Sequence, residues 1–111
     1  MNLGNVSTGE PTVDSRLIFT LQDDGTYEVT LDTKYKDTVT DISIPSTYNG
    51  IAVTAIGEKA FEQCSLLTTV TISSSVTTIK EYAFSQCTHL KDTSLQNIES
   101  VGDYAFLGVQ T

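Results

Sequence analysis

The sequence predicts an α+β repeat solenoid, a right-handed coil of short strands and short helical turns that begins with a β-hairpin cap. A motif that starts as "IGEKAF" at Ile56 returns as "IKEYAF" at Ile79 and as "VGDYAF" at Val101. Segments between these copies alternate apolar and polar residues, as does a strand with one buried face. Because a catalytic motif is needed only once, steady recurrence indicates a scaffold.

Size and charge exclude several classes of protein. The chain has 111 residues, enough for one small domain. Its 14 acidic and 6 basic residues give a net charge of −8. Nucleic acids and anionic membrane surfaces are therefore not expected partners, because both require clustered Lys and Arg. Membrane insertion is not expected either, since no segment approaches the ~20 apolar residues of a spanning helix.

The first elements are a flexible segment, residues 1–15, and a unit over 16–44 that holds a hairpin cap and the first strand. The hairpin is "LIFTLQDDGTYEVTL", residues 17–31. A three-residue loop "DDG", with Gly25 in the left-handed conformation, places six apolar side chains on one face. The pairs in this register are Leu21 with Tyr27, Phe19 with Val29 and Leu17 with Leu31.

The first strand and its return come next. "DISI" from Asp41 alternates as a half-buried strand does, and Pro45 ends it. "PSTYNGIA" is an enlarged turn in which Asn49 and Gly50 are suited to positive φ. The stretch that ends at Ile56 closes this partial first coil.

Residues 45–111 form the repeat units, which divide at about 56–78, 79–100 and a truncated 101–111. Equivalent positions lie 23 and then 22 residues apart. The equivalent sets include Phe61, Phe84 and Phe106; Ala60, Ala83 and Ala105; and Cys64, Cys87 and Val109. If coils stack about 4.8 Å apart, equivalent side chains touch and the phenylalanines form a ladder. The same stacking would bring Leu67 to Leu90 and Ile72 to Leu95.

Each unit combines two patterns. In "EKAFEQCSLL" the apolar positions i, i+1, i+4 and i+7 predict a short helix. Its first turn would hold Glu58, Glu81 or Asp103 at the positive end of the helix dipole. "LTTVTIS" from Leu67 predicts a strand, and "VTTI" at 76–79 closes the coil.

The stretch "IGEKAFEQCSLLTTVTISSSVTTIKEYAFSQCTHL" resembles the BspA-type leucine-rich repeats of bacterial surface antigens. Those units read as L-x-x-I-x-I-P followed by V-x-x-I-G-x-x-A-F-x-x-C, and the likeness covers residues 42–109. Departures are the missing prolines after Ile72 and Leu95, the Lys80 that replaces a glycine and the Thr93 that replaces an apolar strand residue. The resemblance implies a leucine-rich-repeat-like coil in an extracellular or cell-surface protein. Its expected partners are host matrix or cell-surface proteins.

The candidate binding face consists of the outward positions of the strand sheet, and solenoids commonly bind through such repeated faces. These positions are Asp41, Ser43, Thr69, Thr71, Ser73, Asp92, Ser94 and Gln96. The hypothesis is a non-enzymatic interaction or adhesion module. Two alternatives stay open: a spacer within a longer array, and an accessory domain of a larger secreted hydrolase.

Catalytic, metal and cofactor chemistry is not expected. Cys64 and Cys87 share a position with Val109, which favours buried free thiols over a disulfide, although adjacent coils could in principle form one. His89 has no partner placed to make it a general base. The carboxylates at 23, 24, 32, 37 and 41 match no calcium motif, so a solvated face is favoured. The truncated last unit exposes a stack end, which predicts end-to-end self-association.

Overall fold

Two sheets and a layer of turns surround one apolar core. This computed structural model describes residues 13–110. The strands are β1 Leu17–Leu21, β2 Tyr27–Leu31, β3 Asp41–Ile44, β4 Thr47–Tyr48, β5 Ile51–Ile56, β6 Thr69–Ile72, β7 Thr78–Ile79, β8 Asp92–Thr93 and β9 Ser100–Val101. Of the predicted flexible segment 1–15, only 13–15 fall within the described residues, and there Asp14 is bound by Arg16.

The larger sheet runs β1-β2-β5-β7-β9, with β4 paired to β5 outside this path. β1 and β2 form the antiparallel hairpin, whereas β2, β5, β7 and β9 are parallel. The predicted hairpin register is confirmed, with Leu17 opposite Leu31 and a loop in which Gly25 has a φ of 87°. The hairpin lies at the N-terminal edge of this sheet, which is where a cap would lie. Its role as a cap stays a prediction.

The second sheet is parallel and runs β3-β6-β8. Asp41 to Ile44 lie opposite Thr69 to Ile72, residue for residue. β8 is shorter and continues the register for two residues only. The predicted strands and closing pieces are therefore present, because alternating residues bury one face against the core.

The predicted short helices are wrong. Within residues 13–110 the one helical segment is the 3-10 helix Thr33–Tyr35, while 58–63, 81–86 and 103–108 are consecutive turns. Lys59 and Gln63 have φ values of 59° and 63°, which an α-helix does not allow.

Hydrogen bonds explain why turns replace helices. The N–H groups of Lys59, Phe61 and Gln63 donate to carbonyls in the next coil, at distances from 2.7 to 2.9 Å. The intervening N–H groups instead bond three residues back, as Cys64 does to Phe61 at 3.2 Å. A three-residue step also carries Phe61, Cys64 and Leu67 to the core, so it satisfies the apolar pattern that suggested a helix.

The carboxylates assigned to a helix dipole need the same correction. Glu58, Glu81 and Asp103 are exposed at the start of the turns, where no helix begins. Their recurrence marks a solvent-facing row of the turn layer and has no electrostatic role at a helix end.

The enlarged turn after β3 is more ordered than the sequence suggests. β4 and β5 pair as a small hairpin through Thr47 and Ala52. Asn49 and Gly50 have the predicted positive φ, 53° and 76°. This hairpin carries Tyr48 to the Phe19 ring, where the two rings stack with centroids 4.1 Å apart.

The phenylalanine ladder is confirmed. The ring centroids of Phe61 and Phe84 are 5.3 Å apart, and those of Phe84 and Phe106 are 5.4 Å apart, with the planes nearly parallel. Leu67 and Leu90 are both buried in the same core. Leu95 is different, because it is 41% exposed and follows the end of β8, so it does not extend the strand register from Ile72 as expected.

Candidate functional site

The outer face of the β3-β6-β8 sheet is built from residues that alternate with the core. Ile42 and Val70 point inward and are 2% exposed, while Asp41, Ser43 and Thr71 on the same strands are exposed. The pleat of a strand causes this separation, since successive side chains point to opposite faces. Because β3 and β6 pair without a bulge, their outward residues line up as rows.

Two rows follow from the register. Thr69 lies between Asp41 and Asp92, each its direct partner on a neighbouring strand. Ser43 lies opposite Thr71 in the next row. The structure therefore brings together five of the eight predicted residues on one ordered surface.

The remaining three are placed less regularly. Ser94 and Gln96 are exposed, but they follow the end of β8 and belong to no strand. Ser73 is half-buried, and its hydroxyl donates to the Pro45 carbonyl at 3.1 Å and lies 3.1 Å from the Ser75 hydroxyl. The Ser73 hydroxyl therefore links two neighbouring coils at the turn that follows their strands.

A shallow open depression of about 280 Å³ crosses this face between β6 and β8. Its walls include two hydroxyl-bearing rows and the charged pair at the start of β8. The lining residues are Thr69, Val70, Thr71, Lys91, Asp92, Thr93 and Ser94.

Local bonds hold the acidic edge of the face. Asp41 accepts a hydrogen bond from the Thr40 hydroxyl at 3.0 Å, and its carbonyl accepts one from Arg16 at 3.3 Å. Arg16 is itself bound by Asp14, with its Nη2 2.6 Å from a carboxylate oxygen. The hydrogen bonds from Arg16 hold the pKa of the Asp14 carboxyl below its ordinary value. One guanidinium thus supports the edge of the face without belonging to it.

The two thiols lie inside the core. Cys64 and Cys87 are 0% exposed and free, and the Cys87 thiol donates to the Phe61 carbonyl at 3.0 Å. The hydrogen bond with the Cys87 sulfur, together with burial, raises the pKa of the Cys64 thiol. A thiol with a raised pKa, as Cys64 has, is a poor nucleophile and a poor metal ligand, because both tasks need the thiolate. The redox state of the two cysteines stays a prediction.

His89 is exposed, as expected, but it is not without a partner. Its Nδ1 lies 2.7 Å from the Ser65 carbonyl, which fixes Nδ1 as the donor, and 3.4 Å from the Thr88 hydroxyl. This bond ties two neighbouring coils, so a structural role accounts for the side chain.

The carboxylates considered for calcium are dispersed into local contacts. Asp24 accepts from the N–H and hydroxyl of Thr26, and Asp32 accepts from the Lys34 N–H at the start of the 3-10 helix. Within residues 13–110, no group of three or more His, Cys, Asp or Glu is placed to hold a metal. No helix in the same range has the length and apolar character to cross a membrane.

Sequence reasoning missed an outer aromatic row. The rings of Tyr82 and Tyr104 stack on the turn layer with centroids 5.2 Å apart, and both residues have positive φ. Lys59 precedes them at the same position of the repeat. The spacing of 23 and 22 residues could have shown that positions 59, 82 and 104 are equivalent. The positive φ that turns these side chains outward could not be predicted from the residue types.

A polar row at the hairpin tip was also missed. The hydroxyls of Thr26 and Thr54 lie 2.7 Å apart, and the Gln22 amide donates to both, at 3.0 and 3.1 Å. The row joins the hairpin to β5. No sequence signal pointed to it, because Thr26 lies outside the repeats.

Comparison with known proteins agrees with this geometry. Residues 34–111 match the profile of the BspA type leucine-rich repeat region (6 copies). Among curated proteins, no match to this chain is found.

Several solved structures share the fold. A leucine-rich repeat protein of T. pallidum is similar over 87% of this chain and 45% of its own, with 26% identity and a TM-score of 0.77. A leucine-rich cell surface protein of Faecalibacterium prausnitzii A2-165 is similar over 87% of this chain and 27% of its own, with 29% identity and a TM-score of 0.72.

A third similar structure is a leucine-rich repeat protein of Bacteroides capillosus ATCC 29799. The similarity covers 86% of this chain and 72% of that protein, with 31% identity and a TM-score of 0.69. This chain spans less than half the length of the T. pallidum and F. prausnitzii structures. The repeat spacing, the stacked phenylalanines and the matched profile lead to one conclusion: the chain belongs to the BspA-type leucine-rich repeat family.

Proposed function

We propose that this chain is a non-enzymatic protein-interaction or adhesion module of a surface or secreted protein, and that it binds through the outer face of the β3-β6-β8 sheet. The observation that supports this most is the row in which Thr69 lies between Asp41 and Asp92. A rigid parallel sheet holds these three polar groups at strand spacing, roughly 4.8 Å apart. A surface built this way pays little conformational entropy when a partner binds.

The family supports the class of function. Leucine-rich repeat domains generally mediate protein–protein interaction and are generally not enzymes, and this chain is one of them. The F. prausnitzii relative is described as a cell surface protein, which supports an extracellular or cell-surface location here. Host matrix or cell-surface proteins are the partners that we propose on this basis.

The chemistry of the face narrows the kind of contact. Its exposed groups are hydroxyls, the Gln96 amide, carboxylates and the Lys91 ammonium, which bind by hydrogen bonds and charge. Two carboxylates on a chain of net charge −8 favour a partner surface that carries Lys or Arg. Binding should then weaken as salt rises, because exposed charges are screened.

The test is binding of the purified chain to a panel of matrix and cell-surface proteins. The variant Asp92→Ala should lose most of the binding, while its circular dichroism and thermal melt stay unchanged. Asp103→Ala is the matched control, since it removes an exposed carboxylate from the turn layer. Equal losses in both variants would point to general charge and would remove the face from consideration.

A spacer role is the second candidate. The chain spans 45% and 27% of two similar structures, so its fold also occurs as a part of longer proteins. A spacer needs stacking only and tolerates any polar residue on its outer face. If no panel protein binds the unmodified chain, the spacer role is favoured over adhesion.

A further inference from the structure

β1 forms one edge of the six-stranded sheet, and no other strand lies beyond it among residues 13–110. At the opposite edges of the two sheets, β8 and β9 are only two residues long. Short strands are one way in which proteins avoid unwanted pairing. β1 is five residues long and therefore presents a far larger hydrogen-bonding edge.

The hydrogen bonds around the hairpin show which groups of β1 face outward. The Asp32 N–H donates to the Arg16 carbonyl at 2.8 Å, and the Gln22 N–H donates to the Thr26 carbonyl at 2.7 Å. In an antiparallel pair, the direction of the backbone groups alternates along the strand. The N–H and C=O groups of the even-numbered residues of β1 therefore bond to β2, and those of the odd-numbered residues point away from β2.

The outward set is small and well defined. The Leu17 N–H is already bonded to the Asp14 carbonyl at 3.1 Å. The groups left are the N–H of Phe19 and Leu21 and the carbonyls of Leu17, Phe19 and Leu21. None of these groups has a hydrogen-bond partner among the described residues.

The sequence of β1 lacks the usual protection of an edge. "LIFTL" contains no charge and no proline, and the strand pairs with β2 without a bulge. Ile18 is 47% exposed on its outer face and Leu21 is 58% exposed at its end. An uncharged edge of this kind is a template for another strand.

We propose that β1 pairs antiparallel with β1 of a second copy of this chain, centred on Phe19. In this register the Phe19 N–H and carbonyl exchange hydrogen bonds with those of the other copy. The Leu21 N–H of each copy donates to the Leu17 carbonyl of the other. Four bonds form between groups that all point outward and have no partner among residues 13–110. The pairing is two-fold and closes as a dimer.

A second copy is favoured over a foreign strand for two reasons. The outward donors and acceptors are complementary to their own two-fold image. The pairing leaves over only the Leu21 carbonyl of each copy. β1 itself carries no charge, so the paired residues bring no like charges together, although each copy has a net charge of −8. Salt should therefore strengthen the dimer, whereas it should weaken binding at the polar sheet face.

The first test is the oligomeric state of the whole chain by sedimentation across a wide range of concentrations. The expected result is a weak monomer–dimer equilibrium, because the paired edge is small. Ile18→Lys should shift the dissociation constant at least about tenfold toward monomer, since a lysine on an edge strand opposes pairing. A chain that stays monomeric throughout would overturn the proposal.

The matched control is Leu66→Lys. Leu66 is 48% exposed, close to Ile18, and lies on the turn layer away from β1. The Leu66→Lys substitution adds the same charge as Ile18→Lys and should leave the dimer intact. If Leu66→Lys disrupts association as strongly as Ile18→Lys, net charge and not the β1 edge controls it, and the proposal fails.

The second test addresses the register. Ile18 of one copy lies directly opposite Thr20 of the other in a non-hydrogen-bonded pair, where side chains approach about 4.5–5.5 Å. Mixing Ile18→Cys with Thr20→Cys under mild oxidation should give a disulfide-linked dimer. Each variant alone should give little, because its like positions are diagonal neighbours, roughly 7–8 Å apart. Efficient cross-linking within either single variant, or none in the mixture, would refute this register.

The chain's own thiols do not obscure this experiment. Cys64 and Cys87 are fully buried, so they do not exchange in the folded protein. If residues outside the described range or an unrelated strand cover β1, neither cross-linking nor dimerisation would occur.

Discussion

The Lys80 side chain reaches across β5 to Glu28 on β2, and its Nζ lies 2.6 Å from Glu28 Oε1. Glu28 lies opposite Ala55, and the backbone N–H of Lys80 bonds to the Ile56 carbonyl. Gly57 makes the path possible, because a Cβ there would come within 2.8 Å of the Glu28 carboxylate. The lysine that departs from the family pattern thus joins the N-terminal hairpin to the second full repeat unit.

Lys80→Met should lower the free energy of unfolding by only about 0.2–1 kcal/mol, because both charged groups keep contact with solvent. Methionine retains the apolar stem, so the change isolates the charge. Urea denaturation at low and high salt is the measurement, and the loss should shrink at high salt. Lys91→Met is the control, since Lys91 is exposed and has no ion pair among residues 13–110. A larger effect at Lys91 would contradict this account.

Phe84→Ala should cost about 3–5 kcal/mol of unfolding free energy, because it removes the central ring of the ladder and leaves a cavity. Phe84 is 0% exposed and stacks on Phe61 and Phe106 at once. Leu66→Ala, at a site 48% exposed, is the control and should change stability little. A thermal melt of Phe84→Ala that matches the unmodified chain would show that the rings do not carry the core.

Gln63→Gly should stabilise the chain by up to about 1 kcal/mol. Gln63 has a φ of 63°, a conformation that costs an L-residue roughly 1–2 kcal/mol. Glycine relieves this cost but gives back about 0.5–1 kcal/mol through its greater freedom in the unfolded chain. The repeat itself supports the change, since Gly108 takes the equivalent position with a φ of 84°.

Glu62→Gly is the paired control for this prediction. Glu62 is the neighbour of Gln63 and has no positive φ, so glycine there should destabilise by about 0.5–1 kcal/mol. Chemical denaturation of both variants gives opposite signs if these residues form turns. In a helix, both glycines would be unfavourable.

The sequence predicted what periodicity determines. Phe61, Phe84 and Phe106 recur at a fixed step, and stacked coils must then bring them together. Alternation in "LIFTL" and "YEVTL" determined the hairpin register, because a shift by one residue would expose the apolar face. Period two likewise predicted the row formed by Asp41, Thr69 and Asp92.

Backbone conformation within the repeat was beyond prediction. Apolar residues at i, i+1, i+4 and i+7 suit a helix, but three-residue turns carry Phe61 and Cys64 inward equally well. The positive φ of Lys59 could not be predicted from its residue type, since glycine and asparagine are the residues that usually adopt this conformation. Ser94 and Gln96 were assigned to a strand that ends at Thr93, because the alternation continues past the last hydrogen-bonded pair.

The buried thiols give the stability of this chain a dependence on alkaline pH. The hydrogen bond with the Cys87 sulfur and the burial of the side chain raise the pKa of Cys64 above its ordinary value of 9.0. In the unfolded chain the same thiol titrates normally. At the Cys64 site, the unfolded state above that pH therefore binds fewer protons than the folded state, so the contribution of Cys64 to stability falls as pH rises.

Cys64→Val should remove this dependence, because valine occupies the equivalent position at Val109 and does not ionise. The measurement is the free energy of unfolding in urea from pH about 7 to about 10, compared between the two chains. Their difference should be constant below the ordinary thiol pKa and should then change by up to about 1.4 kcal/mol per pH unit, against the chain that keeps Cys64. Cys87 is hydrogen-bonded to Cys64 and its own pKa is lowered, so both chains in this comparison carry Cys87→Val. Burial still raises the pKa of Cys64, and the remaining groups cancel in the difference. Parallel profiles across the whole range would mean that Cys64 ionises in the folded state or is oxidised, and that it is not the buried neutral thiol at the centre of the coil.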